Sequence, residues 1–481
     1  MPVRTGTQFL DGLHDARDIW LDGERIKDVR THPALRRGAT TLAHLYDLQH
    51  DADLADIMTY ASPTSGDAVG ASYMIPRTPD ALLKRRYMMQ VWAEYTCGMM
   101  GRTPDFVNIN MMGFALWRDY FGETEPAYGD NIWNYYEYIR EHDLCLTHTL
   151  VSPQIDRSKP VSEWPDPYLM LGVVRETSAG VIVRGARMLA TLAPLSDEIA
   201  VYPSTVKRLE PHESRYAIMF SIPIATPGLS FISREGVDRG ASVFDHPLPA
   251  QFEEMDCMAI FNDVLVPWER IFIYGDVDKH NMLFASVPTF GHVAHQVGVK
   301  NIAKTSFLVG LACRLAESLG RSGDLHIQEL LGEMISYLET VKALVIAAEA
   351  QAAPGPMDSL MPDREPLSAM RTLYPRFYPR MIDILRTIGG SDLAMTLSQA
   401  DLQGPLADRL APYFQGINTS AEEHVQLIRL AWDVVGDSFG SRQLLYERFF
   451  SGDPIRNMAG RYLTYDATAC KALVQRVLDA A

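Results

Sequence analysis

Few residues in this chain have both the type and the setting to carry chemistry. Arg102 stands in the run GRTPDF (101–106). Its guanidinium is a fixed cation whose planar fork can pair with a phenolate oxygen or a carboxylate, and the plain alternative is a turn pairing with Asp105. His148, in CLTHTLVSP, has an imidazole that is neutral at ordinary pH and can accept a proton; its plain alternative is a core histidine satisfied by backbone. His292 and His295, in GHVAHQ, have the HxxH spacing of a metal pair, but without a nearby third ligand that signal is weak. The five cysteines, Cys97, Cys145, Cys257, Cys313 and Cys470, are scattered and show no CxxC spacing. They read as buried thiols of a reducing compartment, not as a disulfide frame or a thiolate metal site.

Other chemistries lose their support. The chain has no GxGxxG and no GxxxxGK[ST], the glycine patterns that let backbone approach phosphates. It also lacks HExxH, GxSxG and an EF-hand loop, which removes the commonest zinc hydrolase, serine hydrolase and calcium readings. No metal is expected.

The elements that must position these residues follow from length and texture. The chain has 481 residues, enough for about three domains. Its net charge of −16 repels nucleic-acid phosphates and anionic lipid surfaces, so neither is an expected partner. No stretch reaches the roughly 18–20 apolar residues of a membrane helix, and the N-terminus turns charged before a signal core forms, so the expectation is a cytoplasmic protein. Residues 1–144 read as helical with long loops, including helices over 81–101 and 130–140. Residues 145–275 break into short β-branched runs, 180–183, 198–202, 216–224, 229–233 and 257–267, which predict an antiparallel β domain. Residues 276–481 carry longer apolar stripes: Leu308 to Leu319 stopped by Gly320, Leu331 to Val345 ending at a Pro/Gly break, then 377–398 and 421–437. These predict a helical bundle.

Four segments, GERIKDVRTHPAL (23–35), GRTPDF, VSPQIDR (151–157) and FGSRQLLYERFFSGDPIRN (439–457), run through nearly the whole chain in one order. Together they resemble the oxygenase component of 4-hydroxyphenylacetate 3-monooxygenase and related two-component flavin-dependent aromatic hydroxylases. The resemblance implies an α+β fold like that of acyl-CoA dehydrogenases: an N-terminal helical domain, a middle antiparallel β domain, and a C-terminal four-helix bundle with a tail that closes on FAD. It implies a homotetramer built as a dimer of dimers. It also implies that a separate NAD(P)H-dependent reductase supplies FAD as diffusible FADH2, and that O2 forms a flavin C4a-hydroperoxide that hydroxylates a phenol ortho to its hydroxyl. The protein would then have to keep water out and draw the phenol toward its anion.

Carried over residue by residue, the resemblance makes Arg102 and His148 the phenol-binding and catalytic pair. It makes Gln154, Ile155, Asp156 and Arg157 a flavin-binding turn and Thr191 a donor to the flavin ring. Ser451, Gly452, Asp453 and Pro454 become the segment that closes on FAD. His292 resembles a substrate-contacting histidine of chlorophenol and nitrophenol monooxygenases and is a candidate second base. Phe106 stands where the hydroxyphenylacetate enzymes carry Tyr, and Ala193, followed by Pro194, where they carry a small polar residue. Each loss of a buried donor costs a matching polar ligand about 1–3 kcal/mol. The expected substrate is therefore not plain 4-hydroxyphenylacetate but a halogenated or otherwise substituted phenol, a tyrosine-derived compound or a carrier-bound aromatic acid.

Two other readings remain open. One is a 4-hydroxybutyryl-CoA dehydratase-like enzyme without its iron–sulfur cluster: Gly101 stands four residues after Cys97 and Val299 seven after His292, so the thiolates a cluster needs are missing. The other is a non-catalytic protein that binds flavin or an aromatic ligand.

Overall fold

The computed structural model describes residues 3–156, 158–204 and 208–480. Helices dominate its two ends and strands its middle, in the order the texture predicts. In the first part, α1 (Pro79–Tyr95), α2 (Pro104–Leu116) and α3 (Pro126–Glu141) each open on proline. Proline is pre-set for the first helical turn and has no N–H to leave unpaired there. Thr78 caps α1 by accepting from the Ala81 N–H at 3.1 Å. All thirteen residues of α2 are buried. Its Ile109, Met111, Met112 and Phe114 are fully enclosed, and burial of each such side chain contributes about 1.5–3 kcal/mol. A helix apolar on every side belongs in the centre of a fold, and α2 lies there.

The expected helical first part also contains four short strands, of which Thr59–Ala61 and Ala68–Gly70 pair only with each other. Asp18–Leu21 (β1) and Glu24–Arg25 (β2) form a hairpin across Asp22 and Gly23, both at positive φ. Asp-Gly is the residue pair that favours such a two-residue turn. The middle part adds β3 (Leu146–Thr149), β4 (Gly172–Thr177), β5 (Gly180–Thr191), β6 (Glu198–Val201), β7 (Ile218–Pro223), β8 (Leu229–Ser233), β9 (Asp256–Pro267) and β10 (Ile271–Tyr274). One sheet runs β2-β1-β8-β9-β5-β4 and the other β10-β7-β6-β3. The pairings are mostly antiparallel, as expected, but β1 runs parallel to β8 and β3 parallel to β6. Both parallel pairs join strands far apart in sequence, where no hairpin dictates direction.

The last part begins with α4 (Val277–Ser286) and continues with α5 (Phe290–Ser318), α6 (Leu325–Ala350), α7 (Arg364–Gly389) and α8 (Ala421–Val435). The four long helices α5 to α8 pack against one another as a bundle. Gly320, at φ +66°, follows the end of α5 at the predicted stop. α7 is displaced from its expected span and ends at a glycine pair, with Gly390 at φ +54°. After the bundle, α9 (Ser438–Phe449) turns back toward α2, and α10 (Pro454–Thr464) runs outward with no buried residue. No helix among the described residues is long and apolar enough to cross a membrane.

Candidate active site

A cavity of about 350 Å³ lies where the three parts meet. The start of α2 supplies Arg102, Phe106 and Asn110, and the end of β3 supplies His148 and Leu150. Along α5, Phe290, Val293 and Val297 recur at helical spacing and give the cavity an apolar wall, with the polar Asn301 one turn further on. α7 contributes Arg364, Arg371 and Tyr374, and the tail contributes Glu447, Phe450, Ser451 and Gly452. Two larger clefts, one of about 480 Å³ between α1, α5 and α6 and one of about 650 Å³ between the end of α5 and the start of α8, contain neither Arg102 nor His148.

Arg102 is held from several sides. Its N–H donates to Glu254 Oε1 at 2.6 Å, and its Nη1 donates to the Gly101 carbonyl at 3.0 Å and to the Tyr446 hydroxyl. The guanidinium carbon lies 4.0 Å from the centre of the Phe106 ring, 5.3 Å from that of Tyr446 and 5.6 Å from that of Phe450. This aromatic collar favours a cation over each ring face. The turn pairing with Asp105 does not form: Asp105 Oδ2 instead accepts from Gln296 at 3.0 Å, and burial pushes its carboxyl up to about 6.

His148 also packs beside Phe106, with ring centres of His148 and Phe106 5.5 Å apart and of His148 and Tyr202 5.4 Å apart. Burial, and then the Arg102 charge, lower its pKa to about 3. It is a neutral imidazole at ordinary pH, and its nitrogens have no hydrogen-bond partner among the described residues. Four further polar atoms on the lining are buried without a partner: Arg102 Nε, Asn110 Oδ1, Asn301 Oδ1 and Glu447 Oε2. Buried polar atoms are normally satisfied, so four orphans around one cavity are the mark of a site shaped for a polar ligand.

The other expected residues lie elsewhere. His292 is fully buried on a different face of α5; its Nδ1 is 2.8 Å from Arg85 Nη2, and it does not line the cavity. Ala193 and Pro194 form a buried turn after β5, where Arg17 donates to the Pro194 carbonyl at 2.7 Å, and they too are absent from the lining. The expected role of these two residues in a substrate pocket therefore gains no support from the lining of this cavity. Thr191 donates to Asp256 Oδ1 at 2.7 Å, so its hydroxyl already serves the strand pair β5–β9.

Gln154, Ile155 and Asp156 lie in the loop after β3, beyond the cavity lining. Gln154 Nε2 donates to the Ser152 carbonyl at 2.8 Å, Ile155 is exposed, and Asp156 accepts from the Ser158 hydroxyl at 2.6 Å. Arg157 falls outside the described residues. Ser451 and Gly452 do line the cavity, while Asp453 and Pro454 cap and open α10, Asp453 accepting from the Arg456 N–H at 2.8 Å.

Sequence reasoning missed Tyr446, Glu447, Asn301 and Arg371. Tyr446 and Glu447 stand inside the quoted tail segment, but nothing in their spacing marks them. A buried cluster makes Glu447 conspicuous only in three dimensions: its Oε1 accepts from Lys300 Nζ and Lys304 Nζ, each at 2.5 Å.

Comparison with known proteins agrees with this geometry. A family model described as 4-hydroxyphenylacetate 3-hydroxylase N terminal matches residues 5–273, and its C-terminal counterpart matches residues 280–479. The 4-hydroxyphenylacetate 3-monooxygenase oxygenase component of Thermus thermophilus is 44% identical over 477 residues, covering 99% of this chain and 97% of that protein. A solved structure of such an oxygenase component, complexed with FAD and 4-hydroxyphenylacetate, superposes with a TM-score of 0.94 at 43% identity, covering 99% of this chain and 98% of that one. An archaeal 4-hydroxybutyryl-CoA dehydratase shares the fold, with a TM-score of 0.88 at 20% identity over 100% of this chain and 95% of that one. The order of helices, sheets and bundle, the cavity between them and these matches along almost the whole length have one explanation: the chain belongs to the 4-hydroxyphenylacetate 3-hydroxylase family and is a monooxygenase oxygenase component of it.

Proposed function

We propose that this oxygenase takes reduced FAD from a separate NAD(P)H-dependent reductase and hydroxylates a phenol ortho to its hydroxyl. The observation that carries this reading is that the Arg102 cation and the neutral His148 line one cavity, both beside Phe106. Together they can draw a phenol toward its anion: His148 accepts the hydroxyl proton, and Arg102 Nε, which has no partner, can donate to the oxygen left behind. Negative charge placed on that oxygen makes the ortho carbon electron-rich.

The walls fit a flat cofactor ring as well. Phe290, Val293, Val297 and Leu150 are apolar, and Asn110 and Asn301 bring unpartnered carbonyl oxygens that can accept from ring N–H groups. Reduced FAD, when bound here, would supply the two electrons that activate O2, the source of the inserted oxygen. The apolar α5 face limits the entry of water, and the Ser451–Gly452 turn closes the cavity on the tail side. The loop over 154–157 keeps its expected role as a cofactor contact within this reading, Thr191, whose hydroxyl donates to Asp256, could meet the cofactor only as an acceptor, and His292 is proposed as a packing residue.

The substrate argument now rests on Phe106 alone. A ring that packs there without a phenol-type hydroxyl lowers the preference for 4-hydroxyphenylacetate relative to phenols that need no donor at that point. We also propose the homotetramer, supported by the strongly exposed Ile455, Tyr462 and Leu463 on α10; size-exclusion light scattering tests it.

The test of function is a panel of phenols, 4-hydroxyphenylacetate included, given enzymatically reduced FAD and O2 with products read by mass. Arg102→Ala and His148→Ala should each cut product by at least about tenfold while H2O2 rises. Normal hydroxylation by both variants would overturn the assignment.

A further inference from the structure

Arg371 on α7 is a cation without a counter-ion. Burial lowers its pKa, and no carboxylate among the described residues pairs with it. Its Nε donates to the Ser451 carbonyl at 3.0 Å and its Nη2 to the same oxygen, which also accepts from Asn457 Nδ2 at 3.2 Å. The guanidinium carbon stands 5.4 Å from the centre of the Phe290 ring. One edge of the fork is therefore fixed by the tail, while Nη1 has no acceptor among the described residues. Gly452, at φ +105°, keeps the neighbourhood open: a Cβ there would stand 3.4 Å from Arg371 Nη2.

Arg364 lies seven residues earlier, two turns along the same face of α7, and also lines the cavity. Its exposed side chain pairs with Glu365, at 3.8 Å, and with no other carboxylate among the described residues. In a chain of net charge −16, two cations facing one cavity, one of them immobilised by a carbonyl, are unexpected unless an anion meets them.

We propose that Arg371, assisted by Arg364, is an anion subsite of this cavity that receives a carboxylate or phosphate group of a bound molecule. The proposal rests on the flavin-dependent hydroxylation reading and deepens it. The anion has two possible sources in that reading, the phosphates of FAD or an acidic side arm of the phenol. A planar fork with one edge fixed presents its remaining N–H groups to either oxyanion without losing rotamer freedom on binding.

Equilibrium titration with two ligand pairs tests this in the full-length protein. The first pair is FAD and riboflavin; the second is 4-hydroxyphenylacetate and its methyl ester. Arg371→Gln should weaken the charged member of one pair by about tenfold or more and leave its neutral partner within about twofold. Loss confined to FAD assigns the subsite to cofactor phosphate, and loss confined to the acid assigns it to the substrate. Arg364→Gln, a change at an exposed side chain, should weaken the same ligand by a few-fold, and it decides the matter if the first variant fails to fold. Equal weakening of charged and neutral members, or no weakening at all, overturns the subsite. In that case continued hydroxylation of phenols leaves the flavin reading standing, whereas a wild-type protein that binds no flavin removes the reading itself.

Discussion

Gly101 and Tyr446, from opposite ends of the chain, touch so closely that a Cβ added at Gly101 would fall 2.2 Å from the Tyr446 hydroxyl oxygen. The missing side chain lets the tail helix α9 reach the start of α2 and bond Arg102. Gly101→Ala should therefore push Tyr446 aside, destabilise the protein by about 1–3 kcal/mol, and release Arg102 from one of its restraints. Tyr446→Phe removes only the hydroxyl. It should raise the KM for the phenol several-fold and increase peroxide release with little change in thermal stability. Steady-state kinetics with thermal denaturation separates the two effects; an unchanged KM in Tyr446→Phe would show that the tail does not orient Arg102.

Glu447 holds two buried ammonium groups at once. Burial raises its pKa, but Lys300 and Lys304 outweigh that and keep the carboxyl below its ordinary value, while burial lowers Lys300 to about 7. Removing the shared anion strips Lys304 of its carboxylate partner and pushes the buried Lys300 amine further toward its neutral form. Glu447→Gln should cost about 3–5 kcal/mol in urea denaturation. Lys300→Met leaves the Glu447–Lys304 pair intact and should cost clearly less.

Acid should act on the buried imidazoles in one direction and on the raised carboxyls in the other. His280 is lowered to about 3 by burial and by Arg187, so between pH 6.5 and 3 the unfolded chain binds a proton that the folded one refuses. Stability from this group falls as pH drops through that window. Asp433 is raised to about 7, chiefly by burial; from pH 7 down to about 4 the folded chain binds the extra proton, and stability from this group rises as pH drops. His280→Gln should flatten the acid-side loss and Asp433→Asn should steepen it, both read as slopes of unfolding free energy against pH.

His292, bonded to Arg85 and away from the cavity, should prove separable from catalysis. His292→Asn is expected to lower the melting temperature, because it disturbs a buried pair, while coupling between oxygen consumed and phenol hydroxylated stays within about twofold of wild type. A loss as large as that of His148→Ala would return His292 to the catalytic group.

Much of this protein was legible in the residues themselves. Period-3.6 stripes ended by Gly320 and the Pro/Gly break announced the bundle, β-branched runs between prolines announced the sheets, and motif order announced the family, because each is a local property of the chain. The Asp22–Gly23 turn is equally local, and its Asp-Gly pair is the signal for a hairpin inside territory whose periodicity predicts helix. Membership of the cavity was not local. Arg102 and His148 meet beside Phe106 only because α2 packs against β3, and Tyr446 and Glu447 join them from near the other end of the chain. Ala193, Pro194 and His292 fall outside the lining for the same reason: a one-dimensional match preserves position in the chain, whereas packing of α5 and the turn after β5 decides which face of each residue meets the cavity. The sequence by itself determined the fold class and the chemistry available; the tertiary structure decided which of those groups share one dry space, since burial and orientation come from contacts between segments that no spacing encodes.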